Sequence, residues 1–134
     1  MKENAVVREI LACFSHHQFY VLPGNLHVFP YIDRKTNRGF VGRRNTGAAF
    51  MGERKTRFTR FNPPGTADIE GVLFGDPAIP ISVEAKAGTK LSESQGNYLR
   101  TLLDGGGLAL VSHSYGETHQ WFKLLKFCDK ADCK

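Results

Sequence analysis

Two apolar segments, Ala67–Phe74 and Ile79–Ala87, are separated only by Gly75-Asp76-Pro77-Ala78. A parallel return would need a crossover of about a dozen residues, so this connection predicts an antiparallel hairpin. Asn62-Pro63-Pro64-Gly65 precedes it as a strong turn signal, because proline fixes φ and glycine tolerates positive φ. The hairpin therefore has a defined start near Ala67, and the remaining elements must be arranged around it.

Residues from Lys2 to about His17 read as an amphipathic helix, with Val6, Ile10, Cys13 and Phe14 at helical spacing and Lys2, Glu3, Arg8 and Glu9 on other faces. Pro23-Gly24 breaks the chain, and Leu26–Phe29 is predicted as a short strand. Arg34–Met51 lacks clean periodicity and reads as loop with strand fragments, whereas Arg57–Phe61 alternates as a half-buried strand does. Leu91–Leu103 is predicted as a helix, with Ser92 as N-cap, Gln95 completing a capping box and Gly105 after its end. Leu108–Ser112 is an apolar strand of the buried parallel type, and Thr118–Phe127 fits either a helix or a strand. With 134 residues, the chain is expected to be a single domain spanning 1–134. The order of elements predicts an α/β sandwich with a mixed sheet.

No apolar run approaches the roughly 20 residues needed to cross a bilayer, and the first residues lack a signal-peptide core. A membrane partner is not expected. Cys13, Cys128 and Cys133 are odd in number and unevenly spread, which suits free thiols in a reducing compartment. A zinc site built from Cys13, His16, His17 and the C-terminal cysteines matches no familiar ligand template.

The net charge of +5 is concentrated in one stretch. Nine of the 18 lysines and arginines (Arg34, Lys35, Arg38, Arg43, Arg44, Arg54, Lys55, Arg57 and Arg60) lie between Arg34 and Arg60, against one acid, Glu53. Such a segment can be a solvated loop, or a surface that neutralises nucleic-acid phosphates and releases counterions. The interleaved Phe40, Phe50, Phe58 and Phe61 favour an ordered surface and hence a nucleic-acid partner.

The chemistry is expected where the hairpin carries charge. Asp68 opens the first strand, and Glu84-Ala85-Lys86 ends the second after the apolar run Ile79–Val83. Side chains alternate along a strand, so Glu84 and Lys86 share a face, and the hairpin can bring Asp68 beside Glu84. Two close carboxylates repel unless a hard cation such as Mg²⁺ joins them through oxygen. The Ala85 carbonyl can add a further oxygen. Lys86 can orient water or stabilise a transition state on phosphate. Charges at the ends of buried strands are costly without such a purpose.

This constellation resembles the PD-(D/E)XK nuclease superfamily, and within it the VRR-NUC family of stand-alone phage and bacterial nucleases. The resemblance is carried by Arg44-Asn45-Thr46-Gly47, Pro64–Gly71 with Asp68 at its centre, Glu84-Ala85-Lys86, Gln95, and Gly105–Gly107 before the strand at Leu108–Val111. It runs from the first helix to about Ser112. Ala67 departs from the proline or serine that many relatives have there. The resemblance implies a restriction-endonuclease-like sandwich in which Asp68, Glu84 and the Ala85 carbonyl bind Mg²⁺ or Mn²⁺. It makes Lys86 the catalytic lysine and lines the site with Gln95, which is equally accounted for as a capping partner of Ser92. A glutamate from the first helix is expected to join the metal ligands; Glu3 fits best and Glu9 competes. Arg43, Arg44, Asn45, Arg54, Lys55, Arg57 and Arg60 are the expected DNA contacts.

The implied activity is metal-dependent hydrolysis of DNA phosphodiester bonds, on branched or junction DNA or, alternatively, on plain duplex. The alternative from another class is a non-catalytic DNA-binding module on the same fold. No small-molecule cofactor is expected, and the implied location is the cytoplasm of a bacterium or phage-infected cell. Trp121, Phe122, Leu124 and Leu125 read as core or as a homodimer interface. Gly105-Gly106-Gly107 reads as a helix-ending turn rather than a phosphate loop, and His113 and His119 as surface or partly packed residues.

Overall fold

The computed structural model describes residues 2–23, 31–44, 48–51, 57–60, 67–88 and 90–128, with 48–51 and 57–60 as backbone only. Helix α1 (Glu3–His16) buries Val6, Val7, Ile10, Cys13 and Phe14 along one stripe. It stops where Gln18 takes a left-handed φ of 69°. The chain then enters a three-residue strand, β1 (Phe19–Val21), that sequence periodicity did not reveal. Three residues are too few to establish a period, and β1 is held by its parallel pairing with β2 (Gly39–Arg43). The segment read as a loop with strand fragments thus contains β2 and β3 (Ala48–Met51). Strand β3 pairs with β4 (Arg57–Arg60) as a separate antiparallel ribbon. The strand expected at Leu26–Phe29 lies outside the described residues.

The predicted hairpin is present: β5 (Ile69–Leu73) pairs antiparallel with β6 (Ile79–Ala85), from Ile69 opposite Val83 to Leu73 opposite Ile79. Strand β5 also pairs with β2, and there the backbones approach closely. A Cβ on Gly71 would stand 2.0 Å from the Phe40 carbonyl oxygen, and one on Gly39 would stand 2.1 Å from that of Val72. No other residue fits either position without moving a strand.

Helix α2 (Glu93–Asp104) begins with the predicted capping box and ends at Gly105. Gly106 then supplies a positive φ of 88°, which makes the glycine run the expected helix-ending turn. Strand β7 (Leu108–Ser112) runs parallel to β6 and completes a mixed five-stranded sheet, ordered β1-β2-β5-β6-β7. It is only partly buried, with Leu110 and Ser112 inside, because it forms the edge of the sheet. The ambiguous tail is helix α3 (Tyr115–Leu124), capped by the Ser114 side chain.

Residues from β6 separate by parity. Ile81, Val83 and Ala85 join a core with α1 and Phe122 of α3, whereas Ser82 and Glu84 face polar groups. Phe122 is fully buried, with its ring centroid 4.8 Å from Phe14 and 5.5 Å from Phe127 in edge-on contacts. Leu124, by contrast, is 73% exposed.

The cysteines differ from expectation. Cys13 is a buried free thiol whose pKa burial pushes up to about 12, so it is chemically quiet. Cys128 is disulfide-bonded, which corrects the expectation of free thiols throughout. An odd count shows that all three cysteines cannot pair within one chain, but not which one stays reduced. Among the described residues, no helix is long and apolar enough to cross a membrane.

Candidate metal centre

Register places the first two acids. Ile69 lies opposite Val83, so Asp68 and Glu84 occupy neighbouring positions at the same end of the hairpin. Asp68 is fixed twice: Ala85 N–H donates to its Oδ2 at 2.9 Å, and its own carbonyl accepts from Arg44 N–H at 2.7 Å. Glu84 is 1% exposed, although glutamate is among the residues least often fully buried. Glu3 arrives from the first turn of α1, and carboxylate oxygens of Glu3, Asp68 and Glu84 all lie within 4.8 Å of one another. Of the two candidates on α1, Glu3 is the one that the structure brings to Asp68 and Glu84. Glu9 faces elsewhere and accepts a hydrogen bond from Tyr115 N–H at the start of α3.

The electrostatics follow from this crowding. Burial, then the hydrogen bond and charge of Asp68, push the Glu84 pKa up to about 8; Lys86 opposes the shift and Glu3 adds to it. Lys86 is itself buried, at 6% exposure, just beyond β6, where its N–H bonds the Ser112 carbonyl. One Glu84 oxygen, Oε1, accepts from Gln95 Nε2 at 3.0 Å. The other, Oε2, is buried without a donor among the described residues. When Glu84 holds a proton, it can share that proton with Asp68. When both acids are ionised, Lys86 offsets only part of the crowded negative charge and the buried oxygen has no donor among the described residues, a costly arrangement that a divalent cation would relieve.

Gln95 unites two roles that sequence left as alternatives. Its Oε1 accepts from Ser92 N–H at 2.9 Å, completing the capping box, while its Nε2 holds Glu84. The helix cap therefore orients the side chain that orients the acid.

A neighbouring polar group was missed from sequence. Glu70 accepts from Ser82 Oγ at 2.6 Å and from Tyr98 OH at 2.5 Å, and Arg44 stands 3.7 Å away. Strand alternation carried the signal: Glu70 shares a face with Asp68, and Ser82 with Glu84. Tyr98 lies one helical turn beyond Gln95.

Of the expected DNA contacts, Arg43 and Arg44 are exposed at the end of β2. Arg43 donates to Asn4 on α1, close in sequence to Glu3. Asn45, Arg54 and Lys55 lie outside the described residues, and Arg57 and Arg60 are described only as backbone of β4. Arg34 and Arg38 lie over the rings of Phe74 and Phe127, at 4.8 and 6.0 Å. These two basic residues pack on the domain rather than projecting as an arm. The structure places the Ala85 N–H on Asp68.

The raised Glu84 pKa sets an expected pH dependence. In metal-free protein the folded state retains a proton between about 4.5 and about 8 that the unfolded chain has released. Stability from this group is therefore lost as pH rises through that window. Melting in EDTA should show a falling Tm from pH 5 to 8.5, with a smaller fall in Glu84→Gln. Equal slopes in the two proteins would assign the pH dependence to other groups.

Comparison with protein-family models, curated proteins and solved structures gives no match to this chain.

Proposed function

We propose that the chain is a Mg²⁺- or Mn²⁺-dependent DNA endonuclease of the VRR-NUC type, built on a restriction-endonuclease-like sandwich. The observation that carries this reading is the meeting of Glu3, Asp68 and Glu84, from three separate elements, beside the buried Lys86. The donor set fits a hard divalent cation: all oxygen, crowded negative charge, and one buried carboxylate oxygen without a donor among the described residues. Asp68, Glu84 and Glu3 would hold the ion, with the Ala85 carbonyl as a further ligand. When bound, such an ion supplies charge against the scissile phosphate and acidifies water.

The remaining work falls to the protein's own groups. Gln95 fixes one oxygen of Glu84, and Ala85 N–H fixes one oxygen of Asp68, so both acids are positioned before substrate arrives. Lys86 brings a positive charge to the edge of the cluster, where it can orient the attacking water and offset charge on phosphate. Arg43 and Arg44, at the same end of the sheet, can receive flanking phosphates. Branched or junction DNA as substrate, and a homodimer that sets two sites on one molecule, extend the same proposal.

Supercoiled plasmid and synthetic four-way junctions, incubated with Mg²⁺, Mn²⁺ or EDTA, test the activity. Cutting with either metal and none in EDTA is expected. Salt-sensitive binding with no cutting in either metal would replace the nuclease by a DNA-binding module on this fold.

A further inference from the structure

We propose a second metal site, of the zinc class, formed by His17, His119 and Cys128 when Cys128 is reduced. It lies just past the end of α1 opposite Glu3, roughly 20 Å along the helix by its rise per residue. One ligand atom from each residue falls within 4.8 Å of the others.

His17 gives the decisive detail. Its side chain is buried, and Nδ1 lies 2.6 Å from the Cys13 carbonyl oxygen. A carbonyl can only accept, so Nδ1 carries a proton, and in the neutral ring Nε2 carries the lone pair. That Nε2 is buried without a hydrogen-bond partner among the described residues. A carbonyl fixing one ring nitrogen while the other is left open is the arrangement found at metal-ligating histidines. The His119 ring stands 5.2 Å from that of His17.

Two imidazoles and a thiolate select a borderline-soft ion such as Zn²⁺ over Mg²⁺ or Ca²⁺, and three protein donors leave a fourth position for solvent. The site thus differs in chemistry as well as place from the carboxylate cluster. It would fasten the end of α1 to α3 and to the segment that carries Cys128.

Cys128 makes the site redox-dependent, because its sulfur is bonded in a disulfide in the structure. Two electrons and two protons, delivered by a cellular thiol pair that becomes a disulfide, convert that bond to two thiols. The Cys128 thiol then loses its proton as it binds the ion. Disulfide and metal are therefore mutually exclusive at this sulfur.

The test is Co²⁺ titration of the full chain, before and after reduction by a phosphine, followed by Zn²⁺ displacement. The reduced protein should take up Co²⁺ with a near-ultraviolet thiolate-to-metal band and tetrahedral visible bands, which Zn²⁺ abolishes. The oxidised protein should show neither. In reduced Cys128→Ser the charge-transfer band should vanish, and in reduced His119→Ala affinity should fall by about 10- to 100-fold. Absence of the band in reduced wild-type protein would overturn the site without recourse to any variant. So would its persistence in Cys128→Ser, or an unchanged affinity in His119→Ala.

Discussion

Glu84→Gln is expected to abolish DNA cleavage while raising the melting temperature of the metal-free protein at pH 8.5. Glu84 is 1% exposed and crowded by Asp68 and Glu3, so its ionised form is held at a cost to the fold. Glutamine keeps a carbonyl oxygen for Gln95 Nε2 and removes the buried charge. A gain of about 1 kcal/mol would appear as roughly 4 °C in Tm. Cutting should fall on the order of 10³-fold, since an amide is a poor ligand for a hard cation. This opposition separates a functional site from a structural one. Were Glu84 present only to stabilise the fold through its charge beside Lys86, its replacement would lower Tm. Paired melting curves and plasmid assays on the same preparation check both halves.

The second large effect concerns the fold that brings Glu3 to the hairpin. Phe122→Ala is expected to cost about 3–5 kcal/mol, because the ring is wholly buried and its contacts cannot all collapse into the space left. Against a total stability of about 5–15 kcal/mol, that is a large fraction of what keeps a domain folded. The ring packs on Phe14 of α1, the helix that carries Glu3, so the loss falls on the connection between α1 and α3. Urea unfolding should show a lower midpoint with an unchanged slope. Leu124→Ala, on the same helix but 73% exposed, should stay within about 0.5 kcal/mol of wild type. Equal losses at the two positions would mean that helix propensity, rather than the aromatic core, sets the stability here.

The contrast between Phe122 and Leu124 also shows where sequence stopped being informative. Trp121, Phe122, Leu124 and Leu125 fit the period of a helix and the composition of a strand alike, and only packing against Phe14 and Phe19 distinguishes them. The β5–β6 hairpin was legible because four residues allow one return path, and the α2 cap because Ser92 and Gln95 act locally. Asp68 beside Glu84 followed from that hairpin. Glu3 and Glu9 could not be ranked from spacing, since both precede apolar helical positions. Their roles depend on what stands opposite: the carboxylates for Glu3, the start of α3 for Glu9. The meeting of His17 with His119 and Cys128 spans more than 100 positions, and no local pattern encodes it.

Whether these carboxylates and Lys86 make a hydrolytic centre for phosphodiesters is decided by parallel plasmid cleavage with wild type, Asp68→Ala and Lys86→Ala in Mg²⁺. Cutting by wild type, a loss on the order of 10³-fold in each variant, and largely retained DNA binding by both are expected. Cleavage at the wild-type rate in either variant would contradict such a centre.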